Sequence, residues 1–331
     1  MVGVTVLVNF LQTLRVGEPQ AFENLTVFPL IGTQFQEPGY LLLDEALAHG
    51  LIEVREVSEA GSVNEVLVIN KSDLPVLLMD GEILTGAKQN RVVNASILVA
   101  AHIALKIPVS CVEQGRWRYV AEKFTDSRRF SYARLRAQKS AQVAESLHAF
   151  RAFSADQSAI WDEVERKQRE MGAESPTGAV NRVYESHEEK LKKYCAAFSP
   201  LEGQVGAAVF INGCFVCLDA FDSPVTLHKL YTKMIESYAL DALEQAGRDK
   251  KEPENSAAEQ LLEKIAAARV ARYPSVGLGE DLRIKAEGLV GSCLALDGRV
   301  IHLAIFARED RETERRSGPL SRPSRRRRAR L

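Results

Sequence analysis

The spacing of apolar residues changes twice along this chain, and that change most limits what it can fold into. From residue 25 to 120 the apolar residues fall in short runs, at 25–30, 53–57, 65–69, 76–78, 96–100 and 106–109. Such runs, bounded by turn chemistry like NKSDLP at 70–75, read as strands. Residues 41–51 read as a short helix stopped near Gly50. Between 131 and 197 the spacing becomes helical. Ser154 with Gln157 predicts a capping box that opens a helix through Met171. Val180, Val183, Tyr184, His187, Leu191 and Tyr194 predict a second helix over 177–195.

Strand character returns at 206–218, where Asn212-Gly213 predicts a hairpin. Ser223 and Pro224 then open a helix with Leu227, Leu230, Tyr231, Met234, Tyr238 and Ala242 on one face. Ser256 with Glu259 predicts a further helix to Arg272. Strands follow at 282–287, 289–296 and 300–306, with Asp297-Gly298 as a turn. Strands and helices do not alternate, which disfavours a doubly wound parallel sheet. The expected fold is α+β: a mostly antiparallel or mixed β core, a helical middle region, and C-terminal strands returning to the core. Residues 1–307 are expected to form a single compact domain, and 308–331 a disordered arginine-rich tail.

Composition narrows the function. Of 331 residues, 46% are hydrophobic and 26% charged, ordinary for a soluble globular chain. No run approaches the ~18 apolar residues of a membrane helix, and the apolar start lacks a basic leader region. Five cysteines are too sparse for a disulfide framework and predict reduced thiols in the cytoplasm. Net charge is -1, yet the last seventeen residues hold eight arginines and no acid, leaving -9 on the rest. An acidic body does not attract nucleic acid through its general field, so nucleic-acid contact is expected only through the tail.

Chemistry concentrates between residues 77 and 117. Asp80-Gly81-Glu82 is either a turn or a pair of carboxylates at a strand end, with Asp80 as a metal ligand and Glu82 as a base. Lys88, Gln89, Asn90 and Arg91 follow Gly86, supplying cations and amides suited to phosphate or carboxylate; Asn94 lies just beyond. The spacing is not that of a phosphate-binding Walker loop. A third cluster, Cys111-Val112-Glu113-Gln114-Gly115-Arg116-Trp117, offers Glu113 as a second candidate base and Gln114 and Arg116 as ligand contacts. Cys111 is an activated thiol or, more commonly, a buried inert one. Trp117 stacks on a base or packs. Cys214 and Cys217 form a lone CxxC, for which Cys195 and His228 are the only local candidates for the two further ligands that zinc needs. The sequence names no cofactor.

These clusters carry a resemblance. The stretch GSVNEVLVINKSDLPVLLMDGEILTGAKQNRVVNASILV, then IPVSCVEQGRW, is similar to the ARG- and rhodanese-phosphatase-superfamily-associated protein domain, and DAFDSP…SYALDAL resembles its later portion. The resemblance covers roughly residues 20–307. The family's name records association with ADP-ribosylglycohydrolase and rhodanese/phosphatase domains. It implies a link to ADP-ribose or phosphorylated nucleotides by association, with no catalytic residues to carry over. The expected function is binding of a small anionic, ADP-ribose-like nucleotide. The alternatives are a hydrolase or transferase using Glu82 or Glu113, and a structural scaffold.

Overall fold

The computed structural model describes residues 2–35 and 37–308; residues 309–331 of the expected tail lie outside the described residues. Helix α1 (Val2–Gln12) leads into β1 (Leu14–Val16), β2 (Gln20–Phe22) and β3 (Leu25–Gly32). After β4 (Leu41–Leu42) and α2 (Leu43–Ala48) come β5 (Ile52–Glu56), β6 (Glu65–Asn70), β7 (Val76–Leu78), β8 (Glu82–Gly86), β9 (Arg91–Val93), β10 (Ile97–Val99), β11 (Ala104–Cys111) and β12 (Lys123–Phe130). The helical middle holds α3 (Ala133–Phe150), α4 (Gln157–Glu170), α5 (Asn181–Ser186) and α6 (Glu188–Ala197). The last third runs β13 (Gln204–Ile211), β14 (Cys214–Phe221), α7 (Pro224–Glu244), α8 (Ala257–Ala266), β15 (Arg269–Pro274), β16 (Glu280–Ala286), β17 (Leu289–Leu296) and β18 (Arg299–Ala307).

Among the described residues these strands build three sheets. One has nine strands in the order β1-β3-β13-β14-β18-β17-β16-β15, with β2 alongside β3. A second is a closed barrel, β11-β6-β5-β12-β8-β9; the third is small, β10-β7-β4. The fold is α+β as expected, and the C-terminal strands do return to the first ones. They rejoin β1–β3, while β5, β6, β8, β9, β11 and β12 close on themselves.

Strand alternation explains the layers. Along β13, Ala207, Val209 and Ile211 enter one core with Leu227, Leu230, Met234 and Tyr238 of α7. The intervening Ala208 and Phe210 enter another, with Leu7 and Leu11 of α1 and Leu261 and Ile265 of α8. The large sheet is therefore buried on both faces. A third core fills the barrel with Val54, Val66, Val68, Leu84, Val93, Ile107, Val109 and Phe124. The Asn212-Gly213 turn forms as expected, with φ of 50° and 79°, and Asp297-Gly298 likewise at 50° and 78°.

Several local expectations are corrected. Residues 41–51 are helical only from Leu43, because Leu41 and Leu42 pair in parallel with Val76 and Leu77. The cap of α4 is Asp156, whose Oδ1 accepts from the Ser158 and Ala159 amides at 3.0 and 3.2 Å. Gln157 uses its amide on the Cys111 backbone instead, at 2.7 and 2.8 Å. The helix expected over 177–195 starts later and breaks at His187, since residues 177–180 dock on the barrel, with Val180 N–H bonded to Val112 O at 3.0 Å. Helix α8 stops at Ala266, and Arg269–Pro274 pairs with β16 as an edge strand. Ser256 makes no side-chain cap; its hydroxyl takes the Gln260 amide at 2.9 Å. Among the described residues no helix is long and apolar enough to cross a membrane.

Leu230 is wholly buried between α7 and the large sheet. Leu230→Ala should lower stability by about 2–5 kcal/mol, read as a fall in the urea midpoint at unchanged slope. A loss below about 0.5 kcal/mol would mean that α7 does not hold that layer.

Candidate functional site

Lys88, Gln89, Asn90, Arg91, Glu113, Gln114 and Arg116 gather at one mouth of the barrel. The β8–β9 connection supplies the first four and the segment after β11 the others. The 57–64 hairpin loop and residues 175–179 complete the ring.

The floor of this mouth is buried and bonded within itself. Glu113 Oε2 accepts from Arg116 Nη2 at 2.6 Å and from the Asn90 amide at 3.1 Å, and Oε1 accepts from Thr177 Oγ1 at 2.8 Å. Arg116 also donates to the carbonyls of Ala87, Gly86 and Arg118 at 2.7, 3.2 and 3.1 Å and to Asn90 Oδ1 at 3.1 Å. Gln89 donates to Glu113 O at 3.0 Å and accepts from Arg91 Nη1 at 2.8 Å. Arg91 Nη2 donates to Ser62 O at 3.0 Å and faces Glu56 Oε1 at 3.6 Å. Charged groups tied into such a lattice hold three loops in one shape.

The rim is open. Trp117 is 46% exposed and Tyr119 47%. Lys88 Nζ donates to Ala60 O at 2.9 Å and lies 5.4 and 5.1 Å from the two ring centroids, within cation–π range. Gln114 and Arg118 are exposed beside them.

Asp80, Glu82 and Asn94 are elsewhere. Asn94 donates to Phe153 O at 3.2 Å and accepts from Ser110 at 2.8 Å. The Asp80-Gly81 turn is real, with Gly81 at φ 89° and Glu82 N–H bonded to Met79 O at 3.1 Å. It joins β7 to β8, which lie in different sheets, and so it separates the two carboxylates.

Glu82 sits at the far end of β8 from the mouth, about 13 Å away at roughly 3.3 Å per residue. Its Oε2 accepts the Met79 amide at 2.8 Å and its Oε1 lies 3.7 Å from Lys233 Nζ. Asp126 and Asp44 reach the same ammonium at 2.8 and 3.0 Å. Burial, with Asp126 and Asp44 nearby, pushes the Glu82 carboxyl up to about 8 despite Lys233.

Asp80 has both oxygens on cations, Lys139 Nζ and Arg136 Nε. A carboxylate so neutralised is a poor metal ligand, and no cluster of metal-binding side chains occurs among the described residues. Arg136 continues as a two-pronged clamp on Asp219, at 2.7 and 2.9 Å. Asp219 also accepts from Tyr238 at 2.7 Å and contacts His302 Nε2 at 3.1 Å. His302 Nδ1 meets Ser96 Oγ at 2.7 Å. Burial opposes ionisation of Asp219, but Arg136 and His302 hold its carboxyl well below the usual range. Ser96, His302 and Asp219 thus have the connectivity of a nucleophilic triad. All three are buried, however, and Ser96 Oγ already accepts the Asp80 amide at 3.0 Å. None of the three lines the groove between α3, α4 and the end of α7. The chain of bonds ties the barrel to the sheet.

None of these partners was legible from spacing. Glu56 was also missed, though a signal existed: Ile52, Val54 and Glu56 all face inward on one strand, which puts a carboxylate on a core face. Burial pushes the Cys111 thiol up, fitting the inert reading. Cys214 is exposed and Cys217 buried, with no disulfide among the described residues. A groove of about 670 Å³ runs between α3, α4, the end of α7 and the β13–β14 hairpin, walled by Arg134, Glu145, Asp162, Arg166 and Arg248 among others. None of the expected site residues lines it.

Fold and site together define an α+β protein in which a closed barrel, locked to a nine-stranded sheet, opens at a mouth with a bonded polar floor and an aromatic–cationic rim. The chain belongs to the ARG and Rhodanese-Phosphatase-superfamily-associated Protein domain family, whose profile matches residues 13–306. No curated protein and no solved structure matches it.

Glu82 stays protonated in the folded chain to a higher pH than in the unfolded one. The folded state keeps a proton that the unfolded chain loses above its ordinary 4.5. Its contribution to stability is therefore complete below that pH and is lost as pH rises through about 8. Glu82→Gln should flatten the fall in urea midpoint between pH 5 and 8.5. An equally steep fall in both proteins would place its origin elsewhere.

Proposed function

We propose that the barrel mouth binds a small anionic ligand of the ADP-ribose-like nucleotide class. The observation that carries this reading is the placement of Lys88 between two half-exposed aromatic rings above a floor whose donors are mostly committed. A base stacks on an indole or phenol face without regard to its identity, and ammonium and guanidinium groups take phosphate. Lys88, Arg118 and Gln114 are the ligand-facing groups. Gln89, Asn90 and Arg116 act as the frame that fixes them. The family's name supports a nucleotide context by association. The free cysteines suit a reducing compartment, the cytoplasm.

Catalysis by carboxylates is the weaker reading. Glu82 is remote from the mouth, and Glu113 already holds three donors. A general base must reach the proton it removes, and neither group is both free and at the rim.

The test is thermal-shift titration with pyrophosphate, ADP and ADP-ribose. The double variant Lys88→Ala, Trp117→Ala should lose at least tenfold in affinity while its own melting temperature stays within a few degrees of wild type. No stabilisation of wild type by any of the three would remove the reading. Arg116→Ala should instead destabilise the apo protein by about 3–5 kcal/mol, because it strands the buried Glu113. An unchanged apo melting temperature would show that the floor is not structural.

A further inference from the structure

Two buried polar atoms at the mouth have no hydrogen-bond partner among the described residues: Glu56 Oε2, an acceptor, and Arg91 Nε, a donor. Their side chains are 3% and 0% exposed. The two residues face each other at 3.6 Å through other atoms, Glu56 Oε1 and Arg91 Nη2, so the ion pair itself leaves these two sites unused. Cys111 lies beside the guanidinium, but a thiol is a weak acceptor. A buried donor and a buried acceptor left unpaired each cost free energy, and native proteins supply a partner to nearly all such groups.

What covers them is a short strap. The 57–64 loop crosses above, held by Lys88 Nζ on Ala60 O at 2.9 Å and Arg91 Nη2 on Ser62 O at 3.0 Å. Gly61, at φ 77°, fills the space between the orphan carboxylate oxygen and the indole. A β-carbon there would stand 3.3 Å from Glu56 Oε2, 3.3 Å from Trp117 and 3.2 Å from the Lys88 stem. The glycine backbone thus occupies a narrow slot with an aromatic wall on one side and an unpaired carboxylate oxygen on another. The Arg91 guanidinium carbon lies 5.5 Å from the Trp117 centroid. An unpaired acceptor and an unpaired donor beneath the same loop, with the Trp117 indole at its side, suit a planar ring whose edge carries a donor beside an acceptor.

We propose that the 57–64 loop is a lid over a subsite that reads the hydrogen-bonding edge of a nucleobase, with Glu56 Oε2 accepting from the base, Arg91 Nε donating to it, and Trp117 stacking on its face. This rests on the reading that the mouth binds an anionic nucleotide, and it adds that the base, beyond the phosphates, is recognised. Every nucleobase offers a donor–acceptor edge; inorganic pyrophosphate offers none.

The experiment titrates the full chain with pyrophosphate and with the diphosphates of adenosine, guanosine, cytidine and uridine, by calorimetry. At least one nucleoside diphosphate should bind roughly tenfold or more tightly than pyrophosphate. Glu56→Gln, which keeps the shape and removes the charge, should erase most of that margin and leave pyrophosphate binding unchanged. Trp117→Leu, at an exposed position, tests stacking without risk to the fold and should also reduce the margin. If pyrophosphate and all four diphosphates bind wild type equally, the base is not read and this inference fails while anion binding stands. If neither pyrophosphate nor any diphosphate binds, the reading of the mouth fails with it. A margin that survives both substitutions would place base recognition elsewhere and overturn the assignment.

Discussion

Arg136 is the charge on which the rest of the molecule is hung. Its guanidinium lies wholly inside the protein, clamped on Asp219 of the large sheet and touching Asp80 of the barrel segment. Burial works against the charge, but Asp219 and Asp80 outweigh it. Phe306 lies under its face at 4.9 Å. Gly81 gives it room, since a β-carbon there would stand 2.8 Å from its side chain. Lys139, one turn along α3, reaches the other oxygen of Asp80 and donates to Val93 O at 2.7 Å. One helix thereby fastens the barrel to the sheet. Stripping either carboxylate would leave a buried cation unpaired, a far larger penalty than the pair's net contribution.

That arrangement divides labour between two polar clusters close together in sequence. The Asp80 cluster lies deep and holds the barrel on the sheet. The Glu113–Arg116 cluster sits at the opposite end of β8 and β9 and shapes a mouth. In the first, Asp80, Arg136 and Lys139 pair with one another; in the second, Glu113 and Arg116 are paired while Glu56 Oε2 and Arg91 Nε have no partner among the described residues. The two clusters differ in what lies above them: packed helices in one case, and a rim of Trp117, Tyr119 and Lys88 open to solvent in the other. Exposure of aromatic and cationic groups over a rigid base is the feature on which the proposed ligand site rests.

The sequence marks Lys88–Arg91 and Glu113–Trp117 as polar runs interrupting apolar strands. It could not separate floor from rim, since Arg91 and Lys88 look alike on paper while one is sealed and the other half-open. Nor could it see that Asp80 and Glu82, two residues apart, point to different partners: a turn at Gly81 sends the chain from one sheet to another. Strands β8, β9 and β12 escaped notice because barrel ends admit charged residues that break the apolar runs. Asp156 is hidden as a cap in the sequence because Ser154 and Gln157 match the capping pattern, yet Gln157 is spent on the Cys111 backbone.

By itself the sequence determined what local chemistry can settle: turns such as Asn212-Gly213, the Ser223-Pro224 helix start, the apolar face of α7, and the α+β class that follows from unalternated strands and helices. These depend on φ preferences and on periodicities of two and 3.6. Only the tertiary structure decided that six early strands close into a barrel, that Arg136 meets Asp219 across 83 residues of chain, and which members of the 77–117 cluster face solvent. Those are matters of which distant groups neutralise one another inside a low-dielectric core, and no short-range pattern in the chain encodes that pairing.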